Sequence, residues 1–205
     1  MKAILLTLLI FGSLQIFSQK DLRLNLFYGK NATNFIFKDG LINKSTKYAF
    51  GEFYGLSLGI KVAPKQSFRP EINFYQAGAN STFNGVPLNW KLDYVGVGSA
   101  YLVKIVGKDS AKFNLSTGAF FSLDYLLKGK QAIGINNYNI IRENSLERYN
   151  ITSAFLLNGT YKVTESLFLN FEYRFNFGLN NIEKDQNEKT RNIGNTGAIG
   201  ISFKL

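Results

Sequence analysis

Every second residue from Leu167 to Leu179 is large and apolar: Leu167, Leu169, Phe171, Tyr173, Phe175, Phe177 and Leu179. Between them lie Phe168, Asn170, Glu172, Arg174, Asn176 and Gly178, most of them small, polar or charged. Side chains along a strand point alternately to opposite faces, so this pattern predicts a strand with one apolar face. The same division recurs at Phe113, Leu115, Thr117, Ala119, Phe121, Leu123 and Tyr125, set against Lys112, Asn114, Ser116, Gly118, Ser122 and Asp124. A third run sets Tyr54, Leu56, Leu58, Ile60 and Val62 against Gly55, Ser57, Gly59 and Lys61.

Shorter alternating runs cover Leu22–Tyr28, Phe68–Phe74, Leu88–Val103, Tyr149–Leu157 and Ile199–Leu205, which brings the expected number of strands to eight. Two of them are irregular. The apolar gap at Ser153 predicts a change of phase between Thr152 and Phe155, and Tyr94–Gly98 fits either phase, as at a β-bulge. Polar connections alternate in length. Long ones are expected over Gly29–Ala49, Ala77–Pro87, Lys128–Glu147 and Asn180–Ile193, short ones near Ala63–Gln66, Lys104–Ser110 and Lys162–Glu165. Short turns on one side and long loops on the other are the signature of a transmembrane barrel with its short turns in the periplasm.

The polar face decides between this reading and a soluble, lipocalin-like barrel, which would hold its apolar side chains inside. Gly51, Gly55, Ser57, Gly59 and Ala63 give one strand a small-residue face with Lys61 as its only charge. That suits the narrow interior of an eight-stranded barrel better than a solvated exterior. Tyr28, Tyr54, Trp90, Tyr94, Tyr125, Tyr149 and Tyr161 lie near strand ends, where the aromatic girdles of a membrane barrel belong. The expected fold is therefore all-β: an eight-stranded antiparallel transmembrane up-and-down β-barrel.

Composition narrows the chemistry. The chain has 205 residues, no cysteine and no histidine. Without histidine the commonest general base and nitrogen metal ligand are missing, and a Ser-His-Asp triad is excluded. Without cysteine there is no disulfide, no thiolate nucleophile and no lipid-carrying residue of a lipoprotein. The net charge of +10 does not point to nucleic acid, because Lys and Arg are scattered rather than gathered in a stripe. Near the start, Lys2 precedes an interrupted apolar run from Ile4 to Phe17, too short to span a bilayer. Ser18, Gln19 and Lys20 follow, so residues 1–18 are expected to be a secretory signal peptide and 19–205 the barrel domain.

Two residue sets stand out inside the expected barrel. Arg69 and Glu71 on the third strand face Glu172 and Arg174 on the seventh, and an ion-pair network across the lumen is expected because an unpaired buried charge is costly. Arg23, Lys61, Lys112 and Lys204, with Arg69, point inward near the periplasmic end, a basic mouth suited to a small anion or an anionic partner. Asp124 and Glu172 are the available carboxylate pair, and nothing places them in a common cleft. No catalytic, cofactor-binding or metal-ligating set is expected.

The chain resembles a known family. The hairpin Tyr54-Gly-Leu-Ser-Leu-Gly-Ile60 followed by Phe68-Arg-Pro-Glu-Ile-Asn-Phe-Tyr-Gln-Ala-Gly78, and the run Leu167–Phe175 continuing into Gly178-Leu-Asn-Asn-Ile182, are similar to the PorT-like outer-membrane β-barrel domain widespread in Bacteroidetes. The family typically ends on an aromatic residue, whereas this chain ends Phe203-Lys204-Leu205. The resemblance implies an integral outer-membrane protein without a known catalytic residue, and some relatives assist a secretion machine. The expected role is a non-catalytic, monomeric scaffold that contacts outer-membrane lipid and engages a protein partner through its external loops or periplasmic rim. The alternative is a narrow pore, which the inward Phe27, Phe53, Phe120 and Phe168 would obstruct.

Overall fold

The computed structural model describes residues 22–37, 46–108, 111–184 and 189–205; the expected leader, 1–18, lies outside them. Strands β1 (Leu22–Phe37), β2 (Lys47–Ala63), β3 (Gln66–Phe83), β4 (Val86–Val106) and β5 (Phe113–Ile133) come first. The short β6 (Asn136–Asn139) and the single-turn helix α1 (Ile140–Glu143) follow, then β7 (Tyr149–Lys162), β8 (Leu167–Gly178) and β9 (Thr190–Lys204). Each barrel strand pairs antiparallel with its sequence neighbours, and β1 pairs β9 from Arg23–Lys204 to Phe37–Thr190, which closes an eight-stranded ring. Closure pairs each of the eight ring strands on both sides. β6 only folds back on the end of β5.

The alternation read from the sequence maps onto the two sides of the wall. Leu26, Tyr28, Leu56, Ile72, Val97, Phe121, Leu123, Phe155, Phe171 and Ile199 face outward and are exposed, while Asn25, Ser57, Glu71, Asp124, Thr152, Glu172 and Ser202 are buried inside. The polar side is the interior. A row of outward rings, Tyr28 against Tyr54 (5.3 Å between centroids) and Tyr54 against Phe74 (6.3 Å), continues in the pair Tyr125–Tyr149 (5.4 Å). Beyond this row the outer wall becomes polar, with Lys30 bound to Glu52, and Gln76 to Asp93.

Several details of the wall differ from the sequence expectation. Trp90 and Tyr94 are not girdle residues. Tyr94 is wholly buried inside, stacked on Tyr75 at 5.2 Å, and Trp90 packs edge-on against Phe35. β4 keeps one phase through Tyr94–Gly98; the irregularities sit at Leu127 of β5 and Ile105 of β4, each left without a partner by a register shift. The run fits either phase in the sequence because Trp90, Leu92 and Tyr94 make this part of the inner face as apolar as the outer one. β7 also keeps one phase, Ser153 being merely a small residue on the outer face.

The long connections are shorter than expected because the strands overrun the apolar belt. β3 and β4 continue to a tight turn at Asn84-Gly85, so Ala77–Pro87 is mostly paired strand. Both turn residues have positive φ (48° and 79°), the conformation that Asn-Gly favours in two-residue hairpins. Likewise Gly29–Phe37 belongs to β1 and Lys128–Ile133 to β5. The turns Pro64–Lys65 and Val163–Ser166 and residues 107–108 and 111–112, together with residues 22 and 204, mark one end of the barrel, here the turn end; the extended strands mark the hairpin end.

Candidate functional site

The lumen is filled in layers. At mid-height Arg174 reaches across to Glu71 with two bonds, Nη1 to Oε1 at 2.7 Å and Nη2 to Oε2 at 2.8 Å, and its Nε donates to Glu172 Oε1 at 2.6 Å. Arg69 Nη1 donates to the other oxygen of Glu172 at 2.6 Å. The structure thus brings Arg69, Glu71, Glu172 and Arg174 into one buried, charge-balanced network. Aromatic faces enclose it: the Arg174 guanidinium lies 4.7 Å from the rings of both Phe53 and Phe120, and that of Arg69 lies 5.0 Å from Phe27. Cations over ring faces in a desolvated site are favourably placed. Arg69 is less well served than Arg174. Its Nη2 stands 3.4 Å from Glu71 without hydrogen-bond alignment, and its Nε–H meets no acceptor.

Towards the hairpin end a second layer centres on Asp124. Its carboxylate accepts from Tyr75 (2.8 Å), Ser122 (2.7 Å), Thr152 (2.5 Å) and the Asn150 amide (3.3 Å). Asp124 and Glu172 therefore sit in separate networks, each fully engaged, and do not form a paired acid and base. Gly96 makes room for this layer: a Cβ there would stand 2.3 Å from Asp124 Oδ1 and 2.5 Å from Asn73 Oδ1.

Beyond Asp124 the interior turns apolar. Phe35, Ala77, Ala79, Leu92, Tyr94 and Leu126 pack with Ile140 of α1 and with Ile182. Asn139 caps α1 through its side-chain oxygen, and Asn144 ends it in the left-handed conformation, so one turn of helix delivers Ile140 into the barrel mouth. Ile182 arrives with the segment that bridges Leu146 to Glu183. This cap packs into the hairpin end of the lumen. Strand alternation marks Lys128–Glu147 only as a loop; the one local signal of the cap is Asn139 before Ile140-Ile141, a start signal for a helix.

The turn end is open. A cavity of about 290 Å³ enters the lumen there, lined by Arg23, Lys61, Lys65, Arg69, Lys104, Lys162 and Lys204, and Glu165 is the one acid of the lining among the described residues. Of the expected basic mouth, Arg23, Lys61 and Lys204 are in place. Lys112 does not line the cavity. It sits exposed in the turn before β5, tied by its backbone carbonyl to Lys162 N–H at 2.7 Å, and so its side chain is outside the alternation that orients strand residues. Lys65, Lys104 and Lys162 take its place. Glu165 is engaged by Lys162 at 2.7 Å, which holds its carboxyl below the ordinary glutamate range. The walls below the basic rim are polar: Asn25 donates to Ser57 Oγ at 3.1 Å and accepts from Ser202 at 2.6 Å.

Among solved structures, Neisserial surface protein A superposes with a TM-score of 0.54 at 14% identity, over 89% of this chain and 97% of that one. The fold is that of the outer-membrane β-barrels. Ail, the attachment invasion locus protein of Yersinia pestis, matches over 90% of this chain and 99% of its own at 10% identity and a TM-score of 0.47. The outer membrane protease OmpT of Escherichia coli matches over 92% and 98% at 7% identity, with a TM-score of 0.49. No protein-family model and no curated protein sequence matches the chain. The PorT-like resemblance accordingly rests on the sequence motifs alone.

Proposed function

We propose that this protein is an integral outer-membrane β-barrel with a non-conducting lumen, working as a scaffold rather than as a catalyst or a pore. One observation carries the reading: an outer wall of exposed Leu, Ile, Phe and Tyr encloses a charge-balanced ionic layer. In water that arrangement would expose the apolar face and bury the ions. In a bilayer it satisfies both, because hydrocarbon meets the apolar wall and the barrel strands pair with one another around a closed ring. The turn end then faces the periplasm and the capped hairpin end faces outward. Secretion by the leader at 1–18 and membership of the PorT-like family belong to the same reading, supported by the segments Tyr54–Ile60, Phe68–Gly78 and Leu167–Phe175.

The narrow-pore alternative meets three obstacles in series: the Arg–Glu layer, the Asp124 layer and the apolar cap. Engagement of a partner falls to the surfaces that remain, the polar outer wall above the Tyr28–Tyr54 row and the basic rim. The test is reconstitution of the refolded chain into liposomes and planar bilayers. Insertion with heat-dependent gel mobility and no stepwise conductance is the expected result. A monomer that stays soluble without detergent, or steady unitary currents, would refute it.

A further inference from the structure

We infer that the open edge of β6 joins this protein to a second copy of itself in an apposed membrane, hairpin end to hairpin end. β6 continues the sheet beyond the barrel. It pairs with β5 from Lys130–Asn139 to Ile133–Asn136, and among the described residues no strand pairs with its other side. All of its residues are exposed. Gly134 N–H donates to Pro87 O on the β4 side, so alternation along β5 directs Ile133 and Gln131 to β6 and Ala132 to β4. Asn137, opposite Ala132, therefore turns its N–H and C=O towards the open edge. Such an edge is a template for another strand. Its sequence lacks the residues that keep an edge single: from Gln131 to Ile141 there is no charge and no proline, and the turn residue Ile135 is 96% exposed. Short uncharged segments of Asn, aromatic and β-branched residues pair readily with their own kind.

Symmetry decides where the second copy stands. Identical edges that pair antiparallel are related by a two-fold axis perpendicular to the sheet. Here the sheet continues the barrel wall, which stands upright in the proposed bilayer, so the axis lies parallel to the membrane plane and the second barrel is inverted. Two copies in one membrane cannot pair this way. Copies in two facing membranes can, and on this point the inference rests on the proposed orientation. Directly opposed residues share a face of the sheet, so the symmetric register centres on one residue rather than between two. Asn137 is that residue: its two copies can exchange both backbone hydrogen bonds, with Asn139 of each copy beside Ile135 of the other. Lys130, opposite Asn139, does not oppose the contact. From the spacing and rise of strands it stands roughly 20 Å from its own copy, beyond the screening length in ordinary salt. A four-residue edge buries too little for a dimer that is stable in isolation. The contact therefore acts where each surface presents many copies.

The chain has no cysteine, so single thiols report the register. Full-length Asn137→Cys is refolded into phosphatidylcholine nanodiscs that hold one barrel each, so that any covalent dimer joins two bilayers. Across a hydrogen-bonded antiparallel pair the Cα atoms are about 5.5 Å apart, within disulfide reach. With diamide as oxidant, Asn137→Cys is expected to form linked dimers roughly tenfold faster than Asn136→Cys, which is also exposed but faces Tyr138 of the other copy. A second measurement needs no substitution. Parent barrels biotinylated at the C-terminus, which lies at the turn end beside Leu22, coat streptavidin beads with their hairpin ends outward, and the beads are expected to clump. The peptide Gly134–Asn139 in solution should disperse them, whereas the same peptide N-methylated at the Asn137 amide should not, because it lacks the donor. Equal dimer rates for the two thiols, no dimer at all, no clumping, or equal action of the two peptides overturns the inference. Clumping that vanishes at high salt would assign the contact to charge and overturn strand pairing. Insertion is read separately from heat-dependent gel mobility, so a failure of the membrane reading is distinguishable from a failure here.

Discussion

Arg174 and Glu71, 103 positions apart in the chain, meet in the middle of the barrel as a two-pronged ion pair with bonds of 2.7 and 2.8 Å. The pair joins β8 to β3 across the lumen, a contact that backbone pairing around the ring does not supply. With Arg69 and Glu172 it forms a crossbrace inside a narrow cylinder.

Removing one member leaves a buried charge without its partner. Glu71→Gln or Arg174→Leu should therefore destabilise the barrel by about 3–5 kcal/mol. Replacing Arg69, Glu71, Glu172 and Arg174 together with apolar residues of similar volume should cost much less, because no charge is then stranded. Urea unfolding in lipid vesicles, followed by tryptophan fluorescence and gel mobility, compares them. Equal losses in the single and quadruple variants would contradict the crossbrace argument.

The outward belt makes the same substitution behave differently on the two faces of β8. Phe171 is exposed on the wall between the turn end and the Tyr28–Tyr54 row. Phe171→Lys should cost about 2–4 kcal/mol in a bilayer, since a lysine there enters hydrocarbon. Asn170→Lys, one residue away, points into the basic cavity, where its penalty should depend strongly on salt. A Phe171→Lys variant as stable in vesicles as the parent would place that residue outside the membrane.

The cap is reported by the single tryptophan. Trp90 packs against the cluster that Ile140 completes. Ile140→Ala removes a fully buried side chain, a change that typically costs about 2–5 kcal/mol when the site cannot collapse. The loss should be confined to the hairpin end. Emission of Trp90 is expected to shift to longer wavelength while the β-sheet circular dichroism is retained. An unchanged spectrum would show that α1 does not seal the mouth.

Gly96 tests how tightly the Asp124 layer is fitted. Gly96→Val would drive a side chain into Asp124 and Asn73, displacing the carboxylate from Tyr75 and Thr152. Folding yield should fall sharply. Gly85→Val, at a positive φ but with open space around it, should cost only the backbone strain of the turn, about 1–3 kcal/mol. Refolding yields from urea into vesicles rank the two, and a reversed order would remove the steric argument.

The barrel is written in the local pattern of the chain. Strand periodicity is a local property, so Leu167–Leu179 and Phe113–Tyr125 declared their two faces without any knowledge of their neighbours. The inward direction of the charged side chains followed from the kind of residue on each face, and so did the meeting of Arg69 and Glu71 with Glu172 and Arg174. Only the tertiary structure decided what happens where both faces look alike or where the chain leaves the strand. Trp90 and Tyr94 turn inward because apolar residues at the hairpin end have a cap to pack against, and that cap is assembled from Ile140 and Ile182, far from β4 in sequence. Lys104 and Lys162 enter the mouth as the last inward positions of β4 and β7, whereas Lys112 misses it and Lys65 reaches it from turns, where the path of the backbone, not alternation, sets where a side chain points. Periodicity assigns faces along a strand; the closing of the ring and the folding of its ends decide which faces meet.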